Sequence, residues 1–320
     1  SNTNSGDQSG PIPAAFPKGY ASFYCMKYEI TQEQYVNFLN HLTRTQQVNR
    51  VSINVTGTSI TDRYVMGPSP STSAPYRNGI RCDATIPSSP APITFYCDYN
   101  GDGTGNGTTD GQSIACNYLS TVDVLALLDW SGLRPMTELE YEKACRGTAA
   151  GVANEYSWGT ATRASSTYTL NNAGAANEGI ATNYSTTLGN SNHSTTSGII
   201  AGPIRGGICA ANASNSGRIT AGASYYGIME MSGNLWERVI TVGNATGRAF
   251  TGLHGDGTLS TAGNSNTSYW PATNCIGAGF RGGDWTNGTA SMRISDRNVA
   301  TYSATYRDYH VGGRGVRTAP

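Results

Sequence analysis

Three stretches of the chain carry apolar residues at helical spacing. In "EITQEQYVNFLNHL", Tyr35, Phe38, Leu39 and Leu42 fall on one face. Thr31 stands ahead of them with Gln34 three residues on, the signature of a capping box. "LSTVDVLALLDWSG" repeats the design with Ser120 and Asp123 before the stripe Val124, Leu127 and Leu128. "MTELEYEKACRG" repeats it again with Thr137 and Glu140, then Leu139, Tyr141 and Cys145, and Gly147 as a stop. Ahead of the first helix, "ASFYCMKYEI" reads as a strand. Between these segments the pattern is lost. "DYNGDGTGNGTTDG", from Asp98, is almost pure turn, and residues 148 to about 227 show little periodicity. Such stretches inside a compact domain are functional, or are ordered by ions or packing. No internal repeat is evident. The pattern predicts an α+β domain with few helices, short strands and extensive irregular chain.

Composition sharpens this picture. The 320 residues are 38% hydrophobic, enough for a core, yet only 13% charged, with 40 glycines. Solubility therefore rests on hydroxyls and amides, a common state for extracellular and surface proteins. The Gly/Ser/Asn-rich opening reads as a flexible leader over residues 1–18, with a single domain over 19–320. The chain starts at Ser1, so its N-terminus is expected to be processed or truncated, compatible with a removed signal or lipid anchor. Basic and acidic residues balance at 21 each, and no Lys/Arg run is present, so nucleic acid is not an expected partner. No apolar run approaches the roughly 18–20 residues that would cross a bilayer. Cysteines at 25, 82, 97, 116, 145, 209 and 275 form no CxxC pair, which disfavours zinc-ribbon or thioredoxin-type chemistry. An odd number leaves at least one free thiol or an intermolecular bond. Pairings such as Cys82–Cys97 or Cys97–Cys116 stay open, as does the alternative of buried free cysteines.

Five short strings then line up in order: "MKYEITQEQYVNFLN", "LRPMTELEYEKACRG", "GIMEMSGNLWERV", "GFRGGDW" and "GGRGVR". Together, from about Tyr24 to Arg317, they resemble the formylglycine-generating enzyme (sulfatase-modifying factor) family. That resemblance implies a C-type-lectin-like fold: a small twisted antiparallel sheet, two to three helices and extensive irregular loops. It implies that Trp236 and Trp285 are core anchors, and that Arg281 and Arg317 pair with buried carboxylates or carbonyls. The family's generating enzymes bind copper through a cysteine pair shortly after the "RGG" string, chemistry that needs soft thiolates. Here "GGDWTNGTASMRISDRNV" contains no cysteine and none follows Cys275; the matching positions lie near Asn287 and Met292. Copper is therefore not expected. A second enzymatic branch uses an iron-binding histidine set, whereas His41, His193, His254 and His310 are scattered here. No nucleophile–base pair is legible, and the expectation is a non-catalytic member.

Two strings raise structural calcium. "DYNGDG" places Asp98, Asn100 and Asp102 at alternate positions, like the start of an EF-hand loop, but Thr109 stands where the bidentate Glu belongs. The competing reading is a solvated turn. "SGNLWE" resembles the family's calcium-binding string, which implies Asn234, the Leu235 carbonyl and Glu237 as ligands. The competing reading for Glu237 is a buried salt bridge with an arginine.

The C-terminal stretch "SDRNVATYSATYRDYHVGGRGVR" is too polar for a core strand and too aromatic for a linker. A subset of the family resembles the variable proteins of diversity-generating retroelements, whose C-terminal segment is rewritten at adenines. Thr286, Asn287, Gly288, Asn298, Val299, Tyr302, Ser303, Tyr306, Asp308, Tyr309, His310 and Val311 are all reachable from such codons. Arg293, Ser295, Asp296, Arg297, Ala300 and Arg307 look like scaffold. Tyrosine supplies rigid amphipathic contact area, and Ser, Asn and Gly adapt to a partner. The expected ligand-binding residues are Thr286, Asn287, Asn298, Val299, Tyr302, Ser303, Tyr306, Asp308, Tyr309 and His310. The expected function is non-enzymatic binding of a protein or glycan ligand on a cell surface, by an extracellular, cell-surface or phage-virion protein. The alternatives are a self-associating subunit of an extracellular filament or adhesin, and a divergent formylglycine-generating-type oxidase.

Overall fold

The computed structural model describes residues 6–69, 71–194 and 200–320. Strand β1 (Phe23–Cys25) leads into α1 (Gln32–Asn40) and α2 (Arg44–Arg50). A short 3-10 turn (Pro75–Arg77) precedes the hairpin-like pair β2 (Ile80–Arg81) and β3 (Tyr96–Cys97). Then come α3 (Thr121–Trp130), β4 (Arg134–Pro135) and α4 (Glu138–Arg146). The second half holds β5 (Thr169–Asn171), β6 (Gly179–Thr182), β7 (Glu237–Ile240), α5 (Ala245–Arg248), β8 (Ala278–Arg281) and β9 (Gly315–Thr318).

All three expected helices form, each with its capping box: Thr31 with Gln34, Ser120 with Asp123, Thr137 with Glu140. Gly147 ends α4 at φ 64°, a left-handed conformation that glycine adopts without strain. Helix α2 has a fourth capping box, Thr43 with Gln46, and buries Arg44, Gln47 and Arg50 instead of an apolar stripe. Its polar content hides it from a periodicity search. The expected strand from residue 21 to 30 shortens to the three residues of β1.

The sheets are small and antiparallel. β9 sits between β1 and β4, and β7 pairs β8 with Glu237 opposite Arg281. Because β9 closes against β1, the two ends of the domain meet in one sheet. The main core gathers α1, α3 and the β2–β3 region around Phe38, Leu39, Phe95 and Leu128. The weakly patterned stretch around β5–β6 is ordered by its own small core of Tyr168, Ile200, Ile204 and Ile208, and by the buried amide of Asn190. Packing therefore contributes to the order of that long irregular region.

Within the expected leader, residues 6–18 lie against the body. Asp7 bonds the Arg248 guanidinium at 2.9 and 3.0 Å, Phe16 is buried beside Phe250, and the Pro17 carbonyl accepts from Thr137 Oγ1. Residues 1–5 fall outside the described residues. None of the seven cysteines is paired, so the open disulfide alternatives resolve to free thiols, all buried except the half-buried Cys25. Among the described residues no helix is long and apolar enough to cross a membrane.

Candidate ligand-binding surface

Strand β8 and the glycines after it carry the chain to the C-terminal segment, and buried arginines anchor that segment. Arg281 is fully buried and donates to Glu138, Glu142 and the Ile294 carbonyl. Arg297 reaches the same Glu138 at 2.7 and 2.9 Å. Arg307 pairs with buried Asp123 at 2.7 and 2.8 Å and donates to the Val51 carbonyl. Arg238 lies over the Phe280 ring at 4.2 Å and donates to the Ala304 carbonyl at 3.2 Å. Backbone bonds add Phe280 to Val299, Tyr118 to Asp308, and Trp236 to His310. Charge-assisted bonds of this kind fix a polar segment that has little apolar area of its own to bury. Of the expected scaffold residues, Arg297 and Arg307 make such bonds and Ala300 is buried, whereas Arg293 and Asp296 are half-buried and Ser295 is exposed.

The expected ligand-binding residues divide into three environments. Tyr302 and Tyr306 are 40% and 41% exposed, with ring centroids 6.3 Å apart, and Ser303 between them is exposed. Tyr302 rests on Phe280 at 6.1 Å. Partial burial and a hydrogen bond to Tyr302 push the Tyr306 hydroxyl up to about 12. Asn298 is exposed nearby, while Val299 turns inward against Trp236, Phe280 and Ala304.

The second group is built on Tyr309. Its ring stacks on Tyr76 at 4.5 Å and lies 5.6 Å from Trp285 and 4.9 Å from His310. The Trp285 indole donates to the Tyr309 carbonyl at 3.1 Å. Asp308 accepts from the Tyr309 amide at 2.7 Å and stands 3.7 Å from His310 Nδ1. Burial, then the Asp308 charge and Tyr76, raise the Tyr309 hydroxyl above its ordinary value. Sequence reasoning missed Tyr76 and Tyr118. Tyr76 lies in a remote Pro–Tyr–Arg–Asn–Gly turn, and only that turn chemistry marked it. The third group, Thr286 and Asn287, folds back: both amides, the Thr286 hydroxyl and the Asn287 side chain donate to Asp284. Val311 is buried.

Most side chains named in the calcium expectations have protein partners. Asn234 turns its amide nitrogen to Glu29, while its oxygen accepts from the Ile204 amide at 2.9 Å and from Asn192. Leu235 donates its amide to Glu29, and Glu237 is paired with Arg314 at 2.6 and 2.5 Å. Arg314 is thus the arginine partner of the competing reading; it engages Glu237 Oε1, while Oε2 has no hydrogen-bond partner among the described residues. Arg314 takes the anchoring role expected of Arg317, which is exposed on β9. Asp98 is buried against Arg81 and accepts the amides of Gly101 and Gly103; Asn100 and Asp102 bond each other. In the same loop Asp110 is buried and its Oδ1 has no hydrogen-bond partner among the described residues. Among the described residues no group of three His, Cys, Asp or Glu side chains gathers in a metal-binding arrangement.

The thiols are chemically quiet. Burial pushes Cys25, Cys82, Cys97 and Cys145 up to about 12 and raises Cys116, Cys209 and Cys275 as well. A nucleophile or soft ligand needs the thiolate, which these sites suppress. Met292 fills a core position beside Tyr156 and Trp158.

The family model described as sulfatase-modifying factor enzyme 1-like domain matches residues 4–319. Among solved structures, PvdO from Pseudomonas aeruginosa is similar at 15% identity, covering 93% of this chain and 80% of that one, with a TM-score of 0.42. Treponema denticola variable protein 1 is similar at 14% identity, covering 68% of this chain and 75% of that one, with a TM-score of 0.36. No curated protein matches the chain.

Proposed function

The chain belongs to the sulfatase-modifying factor enzyme 1-like family, and from that premise we propose that it is a non-enzymatic recognition protein of an extracellular, cell-surface or virion location. Its binding surface is the C-terminal segment, and its ligand is a protein or glycan on a cell surface. The observation that carries this reading is the combination of a rigidly anchored backbone with outward tyrosines. Arg238 and Arg307 hold the segment from below, while Tyr302, Ser303 and Tyr306 face solvent. That is the arrangement of a paratope, in which aromatic contact area is offered at low entropic cost. Burial of the unpaired thiols lets them persist in an oxidising setting. On this reading the segment is diversified, and the gene has a near-repeat of its 281–317 coding stretch that differs only at adenines.

The test is capture of the full chain on arrays of surface glycans and surface proteins. Replacing Tyr302 and Tyr306 together with Ala is expected to lower capture by more than about tenfold with unchanged melting. Full capture by that variant refutes the assignment, and a collapsed fold would make these tyrosines core residues.

A second reading, a self-associating structural subunit, is favoured by one feature. An open cleft of about 480 Å³ runs beside β1, an edge strand, and is lined by Tyr20, Tyr24 and Tyr226. These are 92%, 65% and 55% exposed. Sedimentation separates the readings: large polymers favour the subunit, a monomer the binder.

A further inference from the structure

The group around Tyr309 has an electrostatic character that the Tyr302–Tyr306 patch lacks. Two carboxylates face it, and neither has an arginine or lysine partner among the described residues. Asp284 is fully buried and accepts its hydrogen bonds from Thr286 and Asn287. Asp308 is 31% exposed at its side chain and is met by the Tyr309 amide and, at 3.7 Å, by His310. The arginines that could neutralise them are committed elsewhere: Arg77 to Glu178 and the Pro203 carbonyl, Arg307 to Asp123. Beside these charges the rings of Tyr76, Trp285 and Tyr309 pack within 4.5 to 5.7 Å of one another, Tyr76 stacked on Tyr309 and Trp285 buried at 3% exposure. Tyr76 is 42% exposed.

A separate observation points to an occupant. Tyr118 is only 4% exposed, yet its hydroxyl has no hydrogen-bond partner among the described residues. Its amide donates to the Asp308 carbonyl at 2.9 Å, which seats the residue against this cluster, and Tyr76, Asp308 and Tyr309 all act on its hydroxyl electrostatically. A buried hydroxyl without a partner costs free energy. Tyr76, Arg77 and Tyr118 also share left-handed backbone, at φ 43°, 65° and 59°, conformations that hold side chains in place at a cost.

We propose that Tyr76, Trp285 and Tyr309, with Asp308 and the Tyr118 hydroxyl, form a subsite for a cationic side chain, lysine or arginine, presented by a protein partner. Aromatic faces attract cations through their quadrupole, and the unneutralised carboxylates add direct Coulomb attraction. The Tyr118 oxygen accepts a hydrogen bond from the ammonium or guanidinium. This inference rests on the reading of the C-terminal segment as a recognition surface and assigns a ligand chemistry to one part of it.

The probes are N-acetyl-lysine N-methylamide and its uncharged isostere N-acetyl-norleucine N-methylamide, titrated into the full chain. The readout is the Trp285 indole N–H resonance, identified as the signal lost in Trp285→Phe. The lysine probe is expected to shift it saturably and the norleucine probe not. Asp308→Asn keeps the acceptor for the Tyr309 amide and removes the charge; it should weaken the lysine probe about three- to tenfold. Tyr76→Leu, on an exposed turn, should weaken it similarly. Equal response to norleucine, or an Asp308→Asn variant that binds as wild type, overturns the subsite. The two readings fail separately. Array capture lost on changing Tyr302 and Tyr306, but indifferent to Asp308→Asn, leaves the recognition surface standing and removes the cation. Capture indifferent to Tyr302 and Tyr306 removes the surface reading itself.

Discussion

Glu230 offers a direct test of the electrostatics behind the anchor. It sits half-buried at φ 57° beside the buried Glu29, Glu237 and Arg314. Its Oε1 accepts the Gly207 amide at 2.8 Å, and its Oε2 has no partner among the described residues. Burial raises the carboxyl from 4.5 to about 7, with Glu237 adding to the rise and Arg314 and Arg205 opposing it. The native state therefore keeps a proton that the unfolded chain releases above pH 4.5. Native protein binds more protons across that window, so stability falls as pH rises from about 4.5 to about 7 and is flat above. Integrated from about pH 5 to about pH 8, the loss is about 2–3 kcal/mol. Glu230→Gln keeps the acceptor for Gly207 and cannot ionise. Relative to the variant, wild type should lose about 2–3 kcal/mol over the same range in urea unfolding. Buried His193, held down to about 4, has the opposite sign: its neutral form is lost as pH falls through the window from 6.5 to 4. It is common to both proteins and cancels in the difference. Parallel pH profiles would show that Glu230 is solvated or paired, and the reasoning would fail.

Four other outcomes rest on the same contacts. Arg314→Ala strands the buried Glu237 and should cost about 3–5 kcal/mol in unfolding, while Arg314→Met with Glu237→Gln recovers most of it; equal losses would mean that the charge is not the cause. A Cβ at Gly279 would stand 1.8 Å from the Ala300 carbonyl, so Gly279→Ala should lower stability by about 3 kcal/mol, and a neutral variant would show the segment unpacked from β8. Native protein at about pH 7.5 should react with a disulfide reagent only slowly and at Cys25, whereas the urea-unfolded chain titrates all seven thiols; a rapidly labelled native thiol contradicts the suppressed thiolates. Changing Tyr302 or Ser303 to other polar residues should move stability by less than about 0.5 kcal/mol, and a larger change would tie them to the core.

The features legible in the sequence were the local ones. A capping box joins residues three apart, so Thr31, Ser120 and Thr137 announced their helices. Helix α2 carried the same box at Thr43, but its inward face is Arg44, Gln47 and Arg50, whose partners include the remote Ala91 and Ile93 carbonyls and the Asp123 carboxylate. Burial of a charged residue leaves no periodic mark when its partner is remote. The same limit exchanged Arg317 for Arg314: both lie in "GGRGVR", and only the register of β9 against β1 and β4 decides which turns inward. It also hid Tyr76, whose contacts with Tyr309 and Trp285 are made across the fold. The two calcium strings were legible as oxygen-rich spacings. Their neighbours Arg81 and Arg314, which take up the carboxylates, were not.

These arginines explain how so polar a segment stays ordered while its outward residues remain free. An apolar segment is held by its own side chains, so each substitution there disturbs the hold. Here the hold runs mainly through backbone carbonyls and ion pairs below the surface: Arg238 to the Ala304 carbonyl, Arg307 to Asp123, Phe280 to the Val299 carbonyl. The small buried Ala300 and Ala304 let the chain approach β8 and Arg238 closely. Tyr302, Ser303 and Tyr306 contribute little to that hold, because the tyrosine rings meet mainly one another and the rim of Phe280. Tyr309 differs, being stacked on Tyr76 and bonded through its carbonyl to Trp285 and Asn117. The surface therefore has a fixed end, where chemistry is set by the fold, and a free end, where side chains can change at little cost.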